Sequence, residues 1–449
     1  MDWRRMEPIK ARFFGRKKIL EDLVQGLLAP HQPLDFSLVG PKMIGKSRLL
    51  KHLASPEGPL QGPDPFGWRP ERFRDGSNVF VGHYDCDWPA AQSHLTEFIY
   101  QSLRMQLEQE KQLGLNWLQV EHASSPGQKI DQIVRQLEQQ QIRLVLILDN
   151  FDHVLRNNKV TPDMVNELRP LTSKLGLVVA TEEALHDLNQ PLASSPLFNV
   201  MHQHFVGLLE PDTTSEWIAA YNERLPLVPV VTEALVKLTG GHPFLLARVN
   251  DILLEVQPLT ANGSLIDEQR LPLIRLRLAE HGRQLFETIW RRFQEGKGQA
   301  TLPLVKQLIQ APIQIGQVPT EQVAALNWLI NQAIVTYDKS CYYLFSPLLG
   351  KFLVEQMGLD QPEPAQEPEA SQSDGARIFE LLAPKEAELL RYFQANSHRV
   401  ISIEQLLTDV WNQPADASPR RVQEAIRRLR NSLNKQTPPI GVIENERGL

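Results

Sequence analysis

The sequence has few cysteines, and it lacks any long hydrophobic run. Cys86 and Cys341 are its two cysteines and stand far apart, which excludes a disulfide framework and favours a reducing compartment. No apolar run reaches the roughly 18 residues that can span a bilayer, and the N-terminus lacks the pattern of a secretory signal. No internal repeat of about 20 to 50 residues recurs, which excludes a solenoid or a propeller. We therefore expect a cytoplasmic protein without a membrane partner.

The chain also lacks a strong overall charge. Its 449 residues include 47 basic and 53 acidic side chains, for a net charge of −6. That average hides an asymmetry, because residues 376–449 have a net charge of +2, whereas residues 359–375 hold five acidic residues and no basic one. Charge that differs between segments is more informative about partners than the total. The basic C-terminal segment is therefore a candidate for nucleic-acid binding.

A phosphate-binding motif is the strongest signal in the sequence. Residues 40–47 read GPKMIGKS and match G-x-x-x-x-G-K-[ST]. Gly40 and Gly45 allow backbone N–H groups to turn inward around phosphates, Lys46 neutralises the β- and γ-phosphates, and the Ser47 hydroxyl can bind Mg²⁺. We predict that ATP or ADP binds here with Mg²⁺. The predicted contacts in this segment are Gly40, Pro41, Lys42, Met43, Ile44, Gly45, Lys46, Ser47 and Arg48.

A second motif supplies acidic residues for the same chemistry. The segment RLVLILDNFDHV places Asp149 directly after a run of apolar residues, where it can bind Mg²⁺ together with Ser47. Asp152 lies three residues further and is predicted to orient the attacking water as a general base, the alternative being a surface or helix-capping acid. Lys46, Asp149 and Asp152 are thus the catalytic candidates.

The apolar pattern predicts an α/β protein followed by helical domains. Short apolar runs that alternate with helical patterns indicate a buried parallel sheet. The predicted strands are residues 35–39, 78–81, 144–148, 175–180 and 204–209. Two further short strands, 333–337 and 342–345, follow helices in the order of a winged helix. The predicted domains are an α/β P-loop NTPase core (1–210), a helical lid (211–264), an internal winged helix (265–357), an acidic proline-rich linker (358–376) and a separate C-terminal winged helix (377–449).

Together these motifs resemble the STAND branch of the AAA+-like ATPases. RFFGRKKILEDL at residues 12–23 resembles the G-R motif that precedes the P-loop domain in this group, and LDNFDHV resembles its Walker B variant. LTGGHPFLL at residues 238–246 resembles the G-x-P motif, whose proline packs by the nucleotide base in relatives. The resemblance covers about residues 10–355 and implies that Arg16 and Pro243 contact nucleotide. It also implies a switch in which a lid and a winged helix lie behind the ATPase core.

The chain departs from this pattern at two positions. Asn150 stands where many relatives carry glutamate, so we expect slow hydrolysis and a nucleotide that acts as a switch. The strand ending VVATEEA offers Thr181 as a polar sensor, but no arginine follows it, so γ-phosphate sensing by the usual arginine is not expected.

The pair Arg291 and Arg292 is interpreted as a solvated helix face.

One group of potential metal ligands has a simpler interpretation. His83, Asp85, Cys86 and Asp87 lie together after a predicted strand. No second ligand cluster occurs at a suitable spacing, so strand-end packing is favoured over a metal site.

The C-terminal segment has the pattern of a DNA-binding winged helix. Its third helix is predicted at residues 419–433, with Ser418 as N-cap and Pro419 at the first helical position. The apolar residues that recur at helical spacing are Val422, Ala425, Ile426, Leu429 and Leu433. Residues 418–435 hold six basic residues and one acidic residue. Arginines can contact phosphates or pair with guanine, and Gln423 can pair with adenine.

The order of these segments resembles the OmpR/PhoB-type winged helix. The resemblance rests on LLAPKEAELLRYF, RVISIEQLLTDVW, SPRRVQEAIRRLRNSL and VIENERGL. It implies that the third helix enters the major groove and that a C-terminal hairpin touches the backbone. Because the sequence ends before the aromatic residue that usually closes this wing, we expect a short hairpin. The predicted DNA contacts are Arg420, Arg421, Gln423, Glu424, Arg427, Arg428, Arg430, Lys435 and Arg447.

The favoured function is an ATP-dependent regulator of transcription that binds double-stranded DNA. We expect it to form a homo-oligomer with ATP and to receive a signal from a separate sensor protein. We also expect the acidic linker to compete with DNA for the basic third helix of the C-terminal domain. Two alternatives remain open. One is a defence sensor that oligomerises on recognising a protein partner, and the other is an AAA+ helper of DNA remodelling or transposition whose hydrolysis DNA stimulates.

Overall fold

The computed structural model divides the chain into two compact units, Met1–Leu359 and Asp360–Leu449, and each unit is considered by itself. The structure describes residues 12–110, 113–156, 167–172, 174–188, 200–222, 225–256, 265–359, 384–395, 401–411 and 420–434.

The first unit is built on a parallel five-stranded sheet. Its strands are β1 (Asp35–Val39), β2 (Val79–Asp85), β3 (Arg143–Asp149), β4 (Gly176–Thr181) and β5 (Met201–Phe205). They lie in the order β2-β3-β4-β1-β5, and all neighbouring pairs are parallel. The predicted α/β fold is therefore confirmed.

Helices cover both faces of this sheet. Every residue of β1, β3 and β4 is buried. Alternate residues of β3 point to opposite faces, since Leu144, Leu146 and Leu148 enter one hydrophobic cluster while Val145 and Ile147 enter the other. This two-sided burial is the reason that the central strands read as continuous apolar runs.

The predicted strand positions hold for the centre of the sheet and fail at its edges. The prediction 35–39 matches β1, whereas 78–81 is too short because β2 continues to Asp85. The prediction 204–209 is wrong, since β5 ends at Phe205. An edge strand with the exposed polar residues His202 and Gln203 has no apolar run to mark it. The chain leaves the sheet with a bond from Val206 N to the Val39 carbonyl oxygen, 2.7 Å long.

Eight helices accompany the sheet in the described part of residues 12–188. Among them, α6 begins with Ser125 as N-cap, whose side chain accepts a hydrogen bond from Gln128 N, and with Pro126 at its first position. The eight are α1 (Lys17–Leu27), α2 (Lys46–Ala54), α3 (Pro89–Ser93), α4 (Leu95–Gln109), α5 (Trp117–Glu121), α6 (Pro126–Gln139), α7 (Asp152–Leu155) and α8 (Leu185–Leu188).

A helical region and a small antiparallel sheet complete the first unit. The helices are α9 (Pro211–Asn222), α10 (Pro229–Thr239), α11 (Pro243–Val256), α12 (Leu271–Phe293), α13 (Gly296–Gln310), α14 (Val323–Asn331) and α15 (Pro347–Met357). The strands are β6 (Ile313–Gln314), β7 (Val335–Tyr337) and β8 (Cys341–Leu344), in the order β6-β8-β7. The strands predicted at 333–337 and 342–345 are thus present with shifted ends, while β6 was not predicted. The domain boundaries themselves stay predictions.

Three helices are described in the second unit. They are α16 (Pro384–Ala395), α17 (Ile403–Asp409) and α18 (Arg420–Asn434). Their cluster of buried residues includes Leu389, Leu406, Val422 and Leu429. The predicted linker beyond Leu359, the predicted hairpin, Lys435 and Arg447 lie outside the described residues.

Across the described ranges, no helix is both long and apolar enough to cross a bilayer.

Candidate functional site

The loop of residues 40–45 lies between β1 and α2 and is fixed by backbone contacts. Gly40 N donates to the Thr181 carbonyl oxygen at 3.1 Å, which ties the loop to the end of β4. A Cβ on residue 40 would lie 2.5 Å from the Val206 carbonyl oxygen, so only glycine fits there. Gly45 has φ +95°, in the region that side chains disfavour, and directly precedes α2. The N–H groups that begin α2 therefore follow the loop at once, as an anion site requires.

Lys46 folds back over this loop. Its Nζ donates to the carbonyl oxygens of Gly40 at 2.5 Å and Pro41 at 3.1 Å, and its side chain is buried. Burial lowers the pKa of Lys46 to about 8, although the charges of Glu182, Asp152 and Asp149 oppose that shift. A hydrogen bond from this buried ammonium to a charged phosphate oxygen is stronger than its bonds to neutral carbonyl oxygens.

Two oxygen ligands suited to Mg²⁺ stand beside this lysine. Asp149 ends β3 and is 3% exposed, and its Oδ1 accepts a hydrogen bond from Asn150 N at 2.9 Å. Ser47 is the second residue of α2 and is partly buried. Carboxylate and hydroxyl oxygens are the ligands that Mg²⁺ prefers, so the donor set fits the predicted ion.

Asp152 begins α7 and carries an unsatisfied atom. The residue is 2% exposed, and within the described ranges its Oδ2 has no hydrogen-bond partner. Arg156 Nη1 lies 3.6 Å from this oxygen, which is too long for a good hydrogen bond. Burial raises the pKa of Asp152, and the nearby charge of Glu182 adds to that shift. Its predicted role as a general base stays a prediction.

Glu182 is the centre of an ion-pair cluster that the sequence did not reveal. Its Oε1 lies 3.2 Å from Lys42 Nζ of the loop, and its Oε2 lies 2.8 Å from Arg292 Nη2 of α12. Arg156 Nη2 is further away, at 3.9 Å. The interpretation of Arg291 and Arg292 as a solvated face is correct for the exposed Arg291 and wrong for Arg292, whose side chain is 17% exposed.

The reason for this difference is helical geometry. Consecutive residues of a helix point about 100° apart, so two neighbouring arginines rarely share one environment. A pair of arginines at the last turn of a long amphipathic helix was the available signal.

Arg16 connects the phosphate-binding loop to the segment after β5. Its guanidinium donates to the carbonyl oxygens of Gly207, Leu208 (3.3 Å) and Ile44 (3.4 Å). Burial lowers the pKa of Arg16 to about 10. The bonds join the phosphate-binding loop to the segment after β5, and a direct contact between Arg16 and nucleotide stays a prediction.

The structure places Pro243 beside the loop and Arg48 beside α9. Pro243 Cβ lies 3.7 Å from the position of a Cβ on Gly45. The Arg48 guanidinium lies 5.5 Å from the centre of the Trp217 ring in α9. Thr181 Oγ1 donates to the Glu183 carbonyl oxygen at 2.7 Å, so this hydroxyl already has a partner.

The region of α12–α15 also packs on the loop. Met43 contacts the hydrophobic cluster of that region, and Ala333 enters the cluster that contains Ile44. An ion pair between Lys297 Nζ and Asp187, 2.8 Å long, adds a polar contact. The loop thus touches the sheet, the segment that begins α11, and the helices that follow.

Among the residues that the structure describes, one group of potential ligands other than Ser47 and Asp149 is close enough together to hold a metal ion. It consists of Asp152, His153 and Glu182. Glu182 is already paired with two cations, and His153 Nδ1 lies 2.6 Å from Asp87. These partners satisfy the ligand atoms of Glu182 and His153, whereas Asp152 Oδ2 has no hydrogen-bond partner among the described residues. Of the four residues predicted to pack at this strand end, Cys86 is buried, while His83 and Asp85 lie within β2 and the side chains of Asp85 and Asp87 are exposed.

In the second unit, α18 has one buried and one exposed side. Val422 and Leu429 are fully buried, whereas Gln423, Arg427 and Arg428 are exposed. The predicted apolar stripe is confirmed at Val422, Ala425, Ile426 and Leu429, while the side chain of Leu433 lies outside the described set. Glu424 Oε1 lies 3.3 Å from Arg427 Nη2 and 3.4 Å from Arg428 Nε. Arg430 is partly buried, and the side chains of Arg420 and Arg421 lie outside the described set.

Comparison with known proteins gives one family match and several similar folds. Residues 380–449 match the family "Transcriptional regulatory protein, C terminal". No curated protein matches the sequence.

Three solved structures illustrate the similar folds. The Walker-type ATPase of Pyrococcus abyssi is 14% identical, with a TM-score of 0.48 over 76% of this chain and 96% of that chain. The ORC2 protein of Aeropyrum pernix is 11% identical, with a TM-score of 0.44 over 76% and 93%. A RuvB variant of Thermotoga maritima is 15% identical, with a TM-score of 0.37 over 77% and 95%.

The parallel sheet, the glycine loop and the buried lysine agree with the P-loop ATPase core that the motifs predicted. Residues 380–449, which match the family of C-terminal transcriptional regulatory domains as the OmpR/PhoB-type resemblance predicted, share one chain with this core.

Proposed function

We propose that this protein is a transcriptional regulator whose DNA binding depends on the nucleotide held in its phosphate-binding loop. The observation that carries the proposal is the position of Lys46. Its buried ammonium contacts only loop carbonyls among the hydrogen bonds of the described residues, while three acidic side chains lie close enough to affect its pKa. Such an arrangement is stabilised by a bound triphosphate with Mg²⁺.

The residues around the loop have separate roles in this proposal. Lys46 moves from the Gly40 and Pro41 carbonyls to phosphate oxygens, and the N–H groups of the loop bind the same anion. Ser47 and Asp149 hold Mg²⁺, which neutralises phosphate charge when bound. Asp152 accepts a proton from the attacking water. Asn150 offers no second carboxylate, so hydrolysis is slow.

The contacts of the loop support a switch. Pro243 and Met43 connect the loop to the helices that follow the sheet, and Arg292 connects it to α12. A change in the loop on nucleotide binding alters contacts in all three places. The proposed result is a different position of the lid and internal winged helix, which changes the availability of the C-terminal domain for DNA. A homo-oligomer with ATP and a separate sensor protein complete the proposal.

The exposed side of α18 supports the DNA partner. Arg427 and Arg428 can contact phosphates or guanine, and Gln423 can pair with adenine in the major groove. The match of this segment to a family of transcriptional regulatory domains supports the same role.

The test is selection of DNA from random duplexes, followed by affinity measurements with ADP, with a non-hydrolysable ATP analogue and without nucleotide. We expect a preferred duplex whose affinity depends on nucleotide. Lys46→Ala should remove that dependence, whereas Lys51→Ala, on the exposed side of the same helix, should keep it.

Three outcomes would contradict the proposal. Equal DNA affinity in all nucleotide states excludes the switch. Hydrolysis stimulated by any DNA favours a remodelling helper, and a stable protein complex without DNA affinity favours a defence sensor.

A further inference from the structure

The strand β4 ends beside the phosphate-binding loop and is followed by acidic residues. The strand that ends at Thr181 is followed by Glu182 and Glu183, so no arginine from this strand end can approach the phosphates. A carboxylate beside a phosphate site is unfavourable unless cations neutralise it. The structure supplies those cations from elsewhere in the chain.

Of these cations, Arg292 makes the shortest contact with Glu182 and is the least exposed. Its Nη2 donates to Glu182 Oε2 at 2.8 Å, and its Nη1 donates to Gln332 Oε1. Glu182 and Gln332 are buried, at 8% and 7% exposure. A guanidinium held through two nitrogens has a fixed orientation.

The same carboxylate connects Arg292 to the phosphate-binding loop. Glu182 Oε1 pairs with Lys42 Nζ, while Oε2 pairs with Arg292. Arg292 is therefore separated from a loop residue by a single carboxylate group. Its charge also reaches the site, because it contributes to lowering the pKa of Lys46.

From this geometry we propose that Arg292 is the residue that distinguishes ATP from ADP, and that Glu182 is the positioning residue that holds it beside the loop. The inference rests on the proposed function, since it requires nucleotide at residues 40–47. A terminal phosphate and a carboxylate are both acceptors for guanidinium, so the triphosphate competes with Glu182 for Arg292. Because Arg292 belongs to the last turn of α12, this exchange changes the attachment of that helix to the α/β core.

Arg156 is the alternative cation. Its guanidinium lies 3.9 Å from Glu182 and 3.4 Å from Glu183, and its side chain is 43% exposed. Longer distances and greater exposure make these pairs weak. Arg156 therefore lacks the fixed orientation that discrimination by one phosphate requires.

The experiment compares the affinity of the full chain for ADP and for a non-hydrolysable ATP analogue, both with Mg²⁺. Arg292→Ala should weaken the binding of the ATP analogue by about 10- to 100-fold and change ADP binding by less than about threefold. Arg291→Ala is the matched control, because this neighbour is exposed, and should change neither affinity. Glu182→Gln should strengthen the binding of the ATP analogue, because the amide oxygen can still accept the bond that positions Arg292 while the charge that competes with the phosphate is removed.

Exchanging the charges of Glu182 and Arg292 tests whether Arg292 discriminates between ATP and ADP or only supports the fold. The double variant Glu182→Arg with Arg292→Glu keeps an ion pair at the same place, and thermal unfolding shows whether the fold survives. It should not regain the wild-type ratio of the two affinities. Arg292→Lys should give an intermediate ratio, because lysine keeps the charge without the two-pronged geometry.

Two results would overturn the inference while leaving the proposed function intact. One is equal weakening of both nucleotides by Arg292→Ala, and the other is a wild-type affinity ratio in the exchanged pair. Either result would mean that the contact between Arg292 and Glu182 only stabilises the fold. Wild-type protein that binds neither nucleotide would instead contradict the proposed function, and this inference with it.

Discussion

Pro243 contacts the phosphate-binding loop at Gly45, where its Cβ lies 3.7 Å from the position that a Cβ on residue 45 would occupy. The contact joins the first residue of α11 to the residue that precedes α2. The distance is an ordinary van der Waals contact, so a methyl group at residue 45 would fit beside the proline. The requirement for glycine at this position therefore comes from its φ of +95° and not from crowding.

Gly45→Ala should lose nucleotide affinity and about 1 to 3 kcal/mol of unfolding free energy. The alanine would either keep a strained backbone or move the N–H groups away from the phosphates. Urea unfolding measures the first effect, and equilibrium binding of a fluorescent nucleotide measures the second.

The matched control for this change is Gly67→Ala. Gly67 also has positive φ, +68°, and nothing lies within 4 Å of its added Cβ. It should lose a similar free energy of unfolding and keep its nucleotide affinity. Wild-type affinity in Gly45→Ala would show that the loop does not bind phosphate through this backbone geometry.

Asp35, at the start of β1, should make stability depend on pH. Burial raises its pKa to about 7, although the hydrogen bond from Leu177 N opposes that shift. The folded chain thus keeps a proton that the unfolded chain, with a pKa of 3.8, has already released. The contribution of this group to unfolding free energy is therefore present below about pH 4 and is lost as pH rises to about 7.

Asp35→Asn removes this dependence because the amide oxygen still accepts the bond from Leu177 N and carries no charge. Relative to wild type, the variant should gain about 2 to 4 kcal/mol of unfolding free energy between pH 4 and pH 7.5. Urea unfolding at a series of pH values measures the difference, with Asp212→Asn, an exposed residue, as control. A difference that stays constant with pH would mean that Asp35 is ionised in the folded chain.

The sequence predicted the parts of this fold that depend on local pattern. The buried strands β1, β3 and β4 follow from continuous apolar runs, and the loop follows from the spacing of Gly40, Gly45 and Lys46. The apolar stripe of α18 follows from helical periodicity. Each of these signals lies within a few residues of the feature that it predicts.

The missed parts depend on contacts between distant segments. The pair of Glu182 and Arg292 joins residues 110 positions apart, and the local signal at Arg292, two arginines in the last turn of α12, does not identify its partner. The same holds for Arg16, which meets the carbonyls of Gly207 and Leu208 only after the chain has folded. The edge strand β5 was misplaced because its pairing with β1, and not its own composition, makes it a strand.

Arg427→Ala should weaken DNA binding and reduce its dependence on salt. Arg427 is exposed on α18, and loss of one phosphate contact lowers the slope of log affinity against log salt by about one. Filter binding at several salt concentrations measures both quantities. Arg391→Ala, an exposed residue of α16, is the control and should leave the slope unchanged. An unchanged slope in Arg427→Ala would exclude this residue from the interface.

Glu424→Gln should have the opposite effect to Arg427→Ala and strengthen non-specific DNA binding. Glu424 lies within 3.4 Å of both Arg427 and Arg428, so its charge partly neutralises the exposed side of the helix. Exposed pairs of this kind contribute less than about 1 kcal/mol to stability, so the fold should be unaffected. Non-specific DNA binding should become tighter at low salt, and discrimination between the selected duplex and random DNA should fall. Weaker binding of the selected duplex, with no gain for random DNA, would instead indicate that Glu424 itself contacts a base.

The acidic linker should weaken DNA binding through its charge. Residues 359–375 carry five acidic side chains and are covalently joined to a domain whose third helix is strongly basic, so their effective concentration near that helix is high. The variant that tests charge without changing length replaces all five acids by amides at Asp360, Glu363, Glu367, Glu369 and Asp374.

Both this variant and deletion of residues 359–375 should bind DNA more tightly than wild type at low salt. The gain should disappear near 1 M salt, where the Debye length falls to about 3 Å. Fluorescence anisotropy with one labelled duplex measures the affinities. If deletion tightens binding and neutralisation does not, then the length of the linker limits access to DNA, and competition by its charge is excluded.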